Sequence, residues 1–481
     1  MATSTTAQAH WTITEAGGQF VVHGIPRFDL EGYIGNYSGR TRIDRLLFIG
    51  HHSVAFAPEA LKLAIKALKE TVDVRRYQIA VEQLQRLAPD DPDAVLDEEW
   101  MEITTRKTAK ESEKIEQALK SYKGNLIKES IRMGHEDQGN HFYACGDLIG
   151  AHKAYGKMRD FCTAPKHIVD MSLALIKVSI EQNNFPAVNS HVAKIRTLTR
   201  TAEEEEQMKP RLCAAMGLFH LANGAYRESA RSFLETPASL GATYNDVISS
   251  NDVAVYGALC SLASMSRKEL KSEVLDNSEF RNFLELEPHM RKAISYFYSA
   301  KYSECLKILE EWKNDYLLDI HLHKHIDALY ERVRTKAIVQ YFIPFSCVTL
   351  KGMAEAFNTP EEKLAKELVG LIENGKLMAR VDTKNGLLVA KSTDPRSQVH
   401  RDALLIARTY EKQARMKLVR MNMISAGLEV KQAKTSNTGR GSSAPEGPES
   451  EFVGVSHQAF LGMKNRFPSG NASSFGGWGK Q

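Results

Sequence analysis

Three histidines at two-residue spacing, His321, His323 and His325, are the strongest metal-ligand candidates in the chain. On a helix, His321 and His325 share a face and His323 points well away. No carboxylate or thiol set completes them at a recognisable spacing, so they read as a packed or hydrogen-bonded pair. His51-His52 is a weaker pair still. Six cysteines, Cys145, Cys162, Cys213, Cys260, Cys305 and Cys347, lie far apart with no Cys-x-x-Cys among them. That spacing argues against a zinc knuckle or a redox pair and for reduced, buried thiols in a cytosolic or nuclear protein. Gly35-Asn36-Tyr37-Ser38-Gly39 has its serine one place off a nucleophile elbow and reads as a turn. There is no Walker loop and no His-Glu-x-x-His. The sequence therefore predicts no catalytic residue, no cofactor and no metal.

The elements that carry these residues are mostly helices. With 481 residues, 43% apolar residues and 25% charged residues, the chain suits two or three folded domains or one repeat array. A formal charge of +4 is small for that length and does not announce a polyanion binder. Met-Ala-Thr-Ser-Thr-Thr opens the chain without a basic region or apolar core, so no secretory signal is expected. No stretch reaches the roughly 18 apolar residues of a membrane helix, so no membrane partner is expected.

Residues 1–28 lack pattern and are expected to form a flexible arm. Residues 29–310 read as a helical repeat domain. Within it, 94–126 reads as one long solvated helix capped by Asp93, its thin stripe formed by Trp100, Ile103, Ile115, Leu119, Tyr122 and Leu126. Four turns then align: Gly146-Asp147-Leu148, Asn183-Asn184-Phe185, Gly224-Ala225-Tyr226 and Ala300-Lys301-Tyr302. Three places after the large residue stands a small one, Ala151, Val188, Ser229 or Cys305. Four further on stands Tyr155, Val192, Phe233 or Leu309. The spacing is close to a tetratricopeptide length, with one degenerate unit between the last two. Small residues let antiparallel helices cross closely, and each pair needs its neighbours to bury its apolar face.

Residues 311–395 change pattern. Leu350, Met353, Ala354 and Phe357 predict a short helix, and Leu364, Leu368, Leu371 and Ile372 a second. Lys376–Asp382 and Leu387–Ala390 alternate as two strands around Lys384-Asn385-Gly386. Helix, turn, helix and two-stranded wing make a winged helix. A last helix covers 396–426. Residues 427–481, rich in Gly, Ser, Pro and Asn with isolated Phe452, Phe460, Phe467, Phe475 and Trp478, are expected to be a disordered tail. The fold class is thus mainly α: a tetratricopeptide-like solenoid, a winged helix, a C-terminal helix and a tail.

That order resembles the PCI-domain family, found in the proteasome lid, the COP-nine signalosome and an initiation-factor complex. The blocks YIGNYSGRTRIDRLLFIG (Tyr33 to Gly50), YKGNLIKESIRMGHEDQGNHFYACG (Tyr122 to Gly146), FRNFLELEP (Phe280 to Pro288) and LLDIHLHKHIDAL (Leu317 to Leu329) look like the signalosome member. The resemblance spans about residues 28 to 425. It implies a non-catalytic subunit of a complex that removes the ubiquitin-like modifier NEDD from cullins, with the isopeptidase zinc site in another subunit. It further implies signalosome subunits as direct partners, cullin-RING ligases as partners through the complex, and a nuclear and cytoplasmic location. A proteasome-lid subunit is the nearest alternative.

The wing is the first candidate contact surface. Leu377, Met378, Ala379, Arg380, Val381, Leu387, Leu388 and Val389 are expected to offer an edge to a partner strand. The last helix is the second, through Leu404, Leu405, Met416, Leu418, Val419 and Met423, more apolar surface than a lone helix exposes. It either packs on its own domain or, as the resemblance implies, joins a bundle of helices from several subunits. A winged helix can read nucleic acid, but its second helix carries Glu361, Glu362, Glu367 and Glu373 against Lys363 and Lys366. Phosphate repels such a face, so no nucleic-acid partner is expected.

Overall fold

The computed structural model describes residue 11 and residues 20–198, 202–391 and 395–428. The described residues divide into two compact units, one up to residue 391 and one spanning 395–428. The first unit opens with α1 (Leu30–Gly35), α2 (Gly39–His52), α3 (Ala57–Lys69), α4 (Val74–Leu87) and the long α5 (Glu98–Asn125). Each of α2 to α4 buries one stripe at helical spacing, such as Tyr77, Ala80, Val81, Leu84 and Leu87 on α4. The cap of α5 is Asp97, whose carboxylate accepts from Trp100 N at 3.0 Å, and not Asp93, which sits in a preceding 3-10 turn. Only Thr104 and Leu119 of α5 are buried, as a solvated helix requires.

The start of the chain is a correction. Residues 20–28, expected within a flexible arm, are fastened. Val22 is buried and lies alongside Ser53, donating to His52 O at 2.8 Å and accepting from Val54 N at 3.1 Å. Trp11 is buried in the cluster formed by α2 to α4. Residues 1–10 and 12–19, the rest of the expected arm, lie outside the described residues.

The repeats follow as α6 (Lys128–Ala144) with α7 (Leu148–Met158), α8 (Pro165–Glu181) with α9 (Phe185–Leu198), and α10 (Ala202–Ala222) with α11 (Tyr226–Leu234). Next come α12 (Ser250–Ser264) and α13 (Ser278–Leu286), which fill the degenerate unit, and then α14 (Pro288–Tyr298) with α15 (Tyr302–Glu311). The four aligned turns share one physical cause. Gly146, Asn183, Gly224 and Ala300 all take positive φ, at 87°, 57°, 71° and 61°. The next N–H reaches five residues back in each case: Asp147 to Phe142 O at 2.9 Å, Asn184 to Ser179 O at 2.8 Å, Ala225 to His220 O and Lys301 to Tyr296 O, both at 2.9 Å. This left-handed cap closes the free carbonyls of the first helix and reverses the chain. The large third residue then becomes the first residue of the second helix, at Leu148, Phe185, Tyr226 and Tyr302.

The small positions are fully enclosed, and so are the residues four places on. One of the closest crossings lies between α10 and α11. A Cβ on Gly217 would fall 2.5 Å from the Phe233 ring, and Ser229 Oγ donates to Gly217 O at 3.0 Å. Gly217→Val is therefore expected to destabilise by about 1–3 kcal/mol through overpacking, despite a better helix propensity. Thermal unfolding beside wild type checks this, and an unchanged midpoint would mean the crossing has slack.

One core runs from Ile176 through Leu388, so the repeats and the winged helix share an interior without a break at 310. After α16 (Ile326–Phe342) come β1 (Cys347–Thr349), α17 (Leu350–Ala356), α18 (Glu361–Glu373), β2 (Ala379–Asp382) and β3 (Leu387–Ala390). The wing has three antiparallel strands in the order β1-β3-β2, where the sequence predicted two. Cys347–Thr349 is too short for alternation to reveal it. The second unit contributes α19 (Pro395–Ser425). The tail beyond Leu428, expected to be disordered, lies outside the described residues.

Candidate protein-interaction site

In the wing, Asp382 Oδ1 accepts from Lys384 N at 3.1 Å and Asn385 N at 3.3 Å, and Gly386 supplies the positive φ of the turn. Val348, Leu388 and Val381 align across the three strands on the inner face. Leu388 is fully buried, as are Leu377 and Ala379 beside it. The opposite face carries Met378, which is 69% exposed, with Arg380 and Val389. The alternation expected for Leu377 to Val381 is thus present.

The edge assignment needs one correction. Leu387, Leu388 and Val389 lie on the central strand, where both rows of backbone groups are already paired. They cannot form an edge. The edges belong to β1 and β2. Lys391 N donates to Met378 O at 3.0 Å, which fixes the phase of the β2–β3 ladder. In an antiparallel ladder the pairing alternates. Met378, Arg380 and Asp382 therefore turn their backbone groups toward β3, and Ala379 and Val381 turn theirs outward. Among the proposed edge residues, these two carry the free donors and acceptors.

On α19, Leu404, Leu405, Met416, Leu418, Val419 and Met423 are all exposed. Leu405, Met416, Val419 and Met423 fall on one stripe at about 100° per residue, and Leu404 and Leu418 stand to one side of it. The apolar surface thus wraps around more than one narrow face.

A buried charge cluster was not visible in the sequence. Arg45 on α2 is 1% exposed. Its guanidinium donates to Asp252 on α12 at 2.8 Å, to Asp319 at 2.7 Å and to the Tyr33 hydroxyl. It also lies 4.1 Å from the Tyr37 ring centre. Tyr37 donates to Asp252 and Tyr256 to Asp319, each at 2.7 Å. Asp252 caps α12 reciprocally with Ser249. Burial raises the Asp252 carboxyl. At Asp319 burial pushes the same way, but Arg45, His321 and the Tyr256 hydroxyl outweigh it and hold the group low. The cluster ties the first helices to the segment just before α16. The only signal in sequence was an arginine amid Ile43, Leu46 and Ile49, which names no partner.

The histidines do not converge. Residues 320–325 are turns, and the helix starts at Ile326, so the shared-face argument does not apply. Burial pulls His321 down to about 4. His323 stacks on Phe20, and His325 meets the Tyr226 hydroxyl at 3.2 Å. Among the described residues no group of three His, Cys, Asp or Glu is placed to hold a metal ion. Cys213, Cys260 and Cys305 are buried, Cys145 and Cys162 half-buried, and Cys347, expected inside, is exposed on the edge strand β1. A cleft of about 370 Å³ beside α2 and α8 holds charges that pair internally, Lys177 with Asp246 at 2.8 Å and Glu181 with Arg40 at 3.2 Å. On α18, Glu367 is paired with Arg334 at 2.7 Å. No described helix is long and apolar enough to cross a membrane.

A helical array continuous with an open-edged winged helix defines a PCI-domain protein, and residues 309–392 match the PCI domain model. Residues 97–273 match the model for 26S proteasome subunit RPN7. COP9 signalosome complex subunit 1 of Emericella nidulans is 47% identical over 87% of this chain and 86% of its own length. Its namesake in Arabidopsis thaliana is 40% identical over 86% and 93%. COP9 signalosome complex subunit 1b of Drosophila melanogaster is 35% identical over 86% and 88%. The chain belongs to the COP9 signalosome subunit 1 family.

Proposed function

We propose that this chain is a non-catalytic scaffold of a signalosome that removes NEDD from cullins and thereby regulates cullin-RING ligases. Membership of the subunit 1 family supports the complex. The observation that carries the scaffold role is the free β2 edge, with Ala379 and Val381 turned outward, on a rigidly mounted winged helix. A partner strand adds there by main-chain hydrogen bonds, and the exposed apolar stripe of α19 joins partner helices. Cullin-RING ligases are met through the assembled complex, and the chain works in nucleus and cytoplasm. Nucleic acid and membrane have no part in this reading.

The test compares the purified chain with the purified complex in an isopeptidase assay on NEDD-modified cullin. Activity is expected in the complex alone. Turnover by the isolated chain would end the scaffold reading. The match of residues 97–273 to a proteasome subunit model favours one second reading, a lid subunit. Mass spectrometry of co-purifying proteins separates the two, since peptide sequences identify each partner.

A further inference from the structure

The helix α16, the end of α12 and the start of the wing enclose an open groove of about 560 Å³. Its ionisable lining is wholly cationic: Arg332 and Lys336 on α16, four residues apart and so on one face, and Lys376 opposite. No carboxylate lines it. Val339 and Ile343 form an apolar floor, and Ile343 is 73% exposed. Lys336 Nζ donates to Leu262 O at 2.7 Å and stands 4.9 Å from the Phe297 ring centre. Burial pulls its amine down to about 8 and outweighs the opposing pull of Glu269. Gln340 presents a buried Oε1 that meets no donor.

We propose that this groove docks an extended acidic peptide segment of a partner protein. Its carboxylates would lie on Arg332, Lys336 and Lys376, and an apolar side chain on Val339 and Ile343. Charge complementarity selects an anionic occupant. The apolar floor selects a peptide over a polyphosphate, which brings no apolar side chain, and an oligothymidylate control separates a peptide from nucleic acid. The groove uses neither the β2 edge nor α19, so it is independent of the assembly surfaces.

The experiment is fluorescence anisotropy with the full chain and a labelled peptide of sequence Glu-Leu-Glu-Glu-Leu-Glu, beside its glutamine counterpart and an oligothymidylate. The acidic peptide is expected to bind, the glutamine peptide not. Arg332→Glu and Lys376→Glu, both at exposed positions, should each weaken binding about tenfold. Raising salt from about 0.05 M to about 0.3 M should weaken it further, because the Debye length shortens. Lys336→Gln also removes a cap of α12, so its folding is checked by circular dichroism. In wild type, NMR titration of the Lys336 amine should show it moving up when peptide is bound. Absence of binding, equal binding by both reversed-charge variants, equal binding of the glutamine peptide, or stronger binding of oligothymidylate would each overturn the proposal.

Discussion

Arg45→Met is expected to lower the stability of the first unit by about 3–5 kcal/mol, the usual consequence of stranding a buried charge. The substitution keeps an unbranched apolar stem and removes the guanidinium that pairs with Asp252 and Asp319. Two enclosed carboxylates would then face each other with only the Tyr37 and Tyr256 hydroxyls and nearby backbone N–H groups as donors. The damage should be local in origin: hydrogen exchange should rise first in α2 and around residues 318–325. Adding Asp252→Asn and Asp319→Asn should recover a large part of the loss, because the buried negative charge is gone and the amides still accept. Thermal unfolding of the single and triple variants measures both. If Arg45→Met unfolds within about 1 kcal/mol of wild type, the cluster does not fasten the first helices.

The second large effect is on assembly. Val381→Pro removes one outward-facing N–H from β2 and leaves the ladder to β3 untouched. An edge strand tolerates proline on its free side. The variant should keep its melting temperature and lose partner subunits, with at least about a tenfold fall in affinity if a main-chain pairing is broken. Val389→Pro is the contrast. It lies on the central strand opposite Cys347 and Arg380, so it breaks the wing itself and lowers stability as well. Pull-down with signalosome subunits, beside a melt of each variant, separates these outcomes. Normal assembly by Val381→Pro with a normal melt would remove the β2 edge from the interface.

Much of this arrangement could be read from the sequence because its causes are local. The repeat turns are visible at Gly146, Asn183 and Gly224, residue types that accept positive φ, and the small-then-large spacing behind them reports helix crossings within a few turns of chain. Ala300 takes the same conformation without the favoured residue type, and only alignment with its neighbours reveals it. The alternation of Leu377 to Val381 likewise gave the wing faces. What was missed depends on distant parts of the chain. Arg45 and Asp252 are separated by 207 positions, and no periodicity reports such a pair. The third strand is three residues long. The histidine run was read as helix because its spacing suits one, but Asp319, drawn to Arg45, accepts from the His321 and Leu322 N–H groups and holds the segment as turns.

The unbroken interior from Ile176 to Leu388 has a mechanical consequence. Because the repeats and the winged helix share that interior, the heading of the β2 edge is inherited from the helix crossings beneath it. A substitution at Ser229 or Gly217, far from any partner, would aim the edge differently by tilting the stack on which it is mounted. In such a subunit, drift in the repeats and fit at the wing must be corrected together, as a gunsight is corrected when its rail is bent.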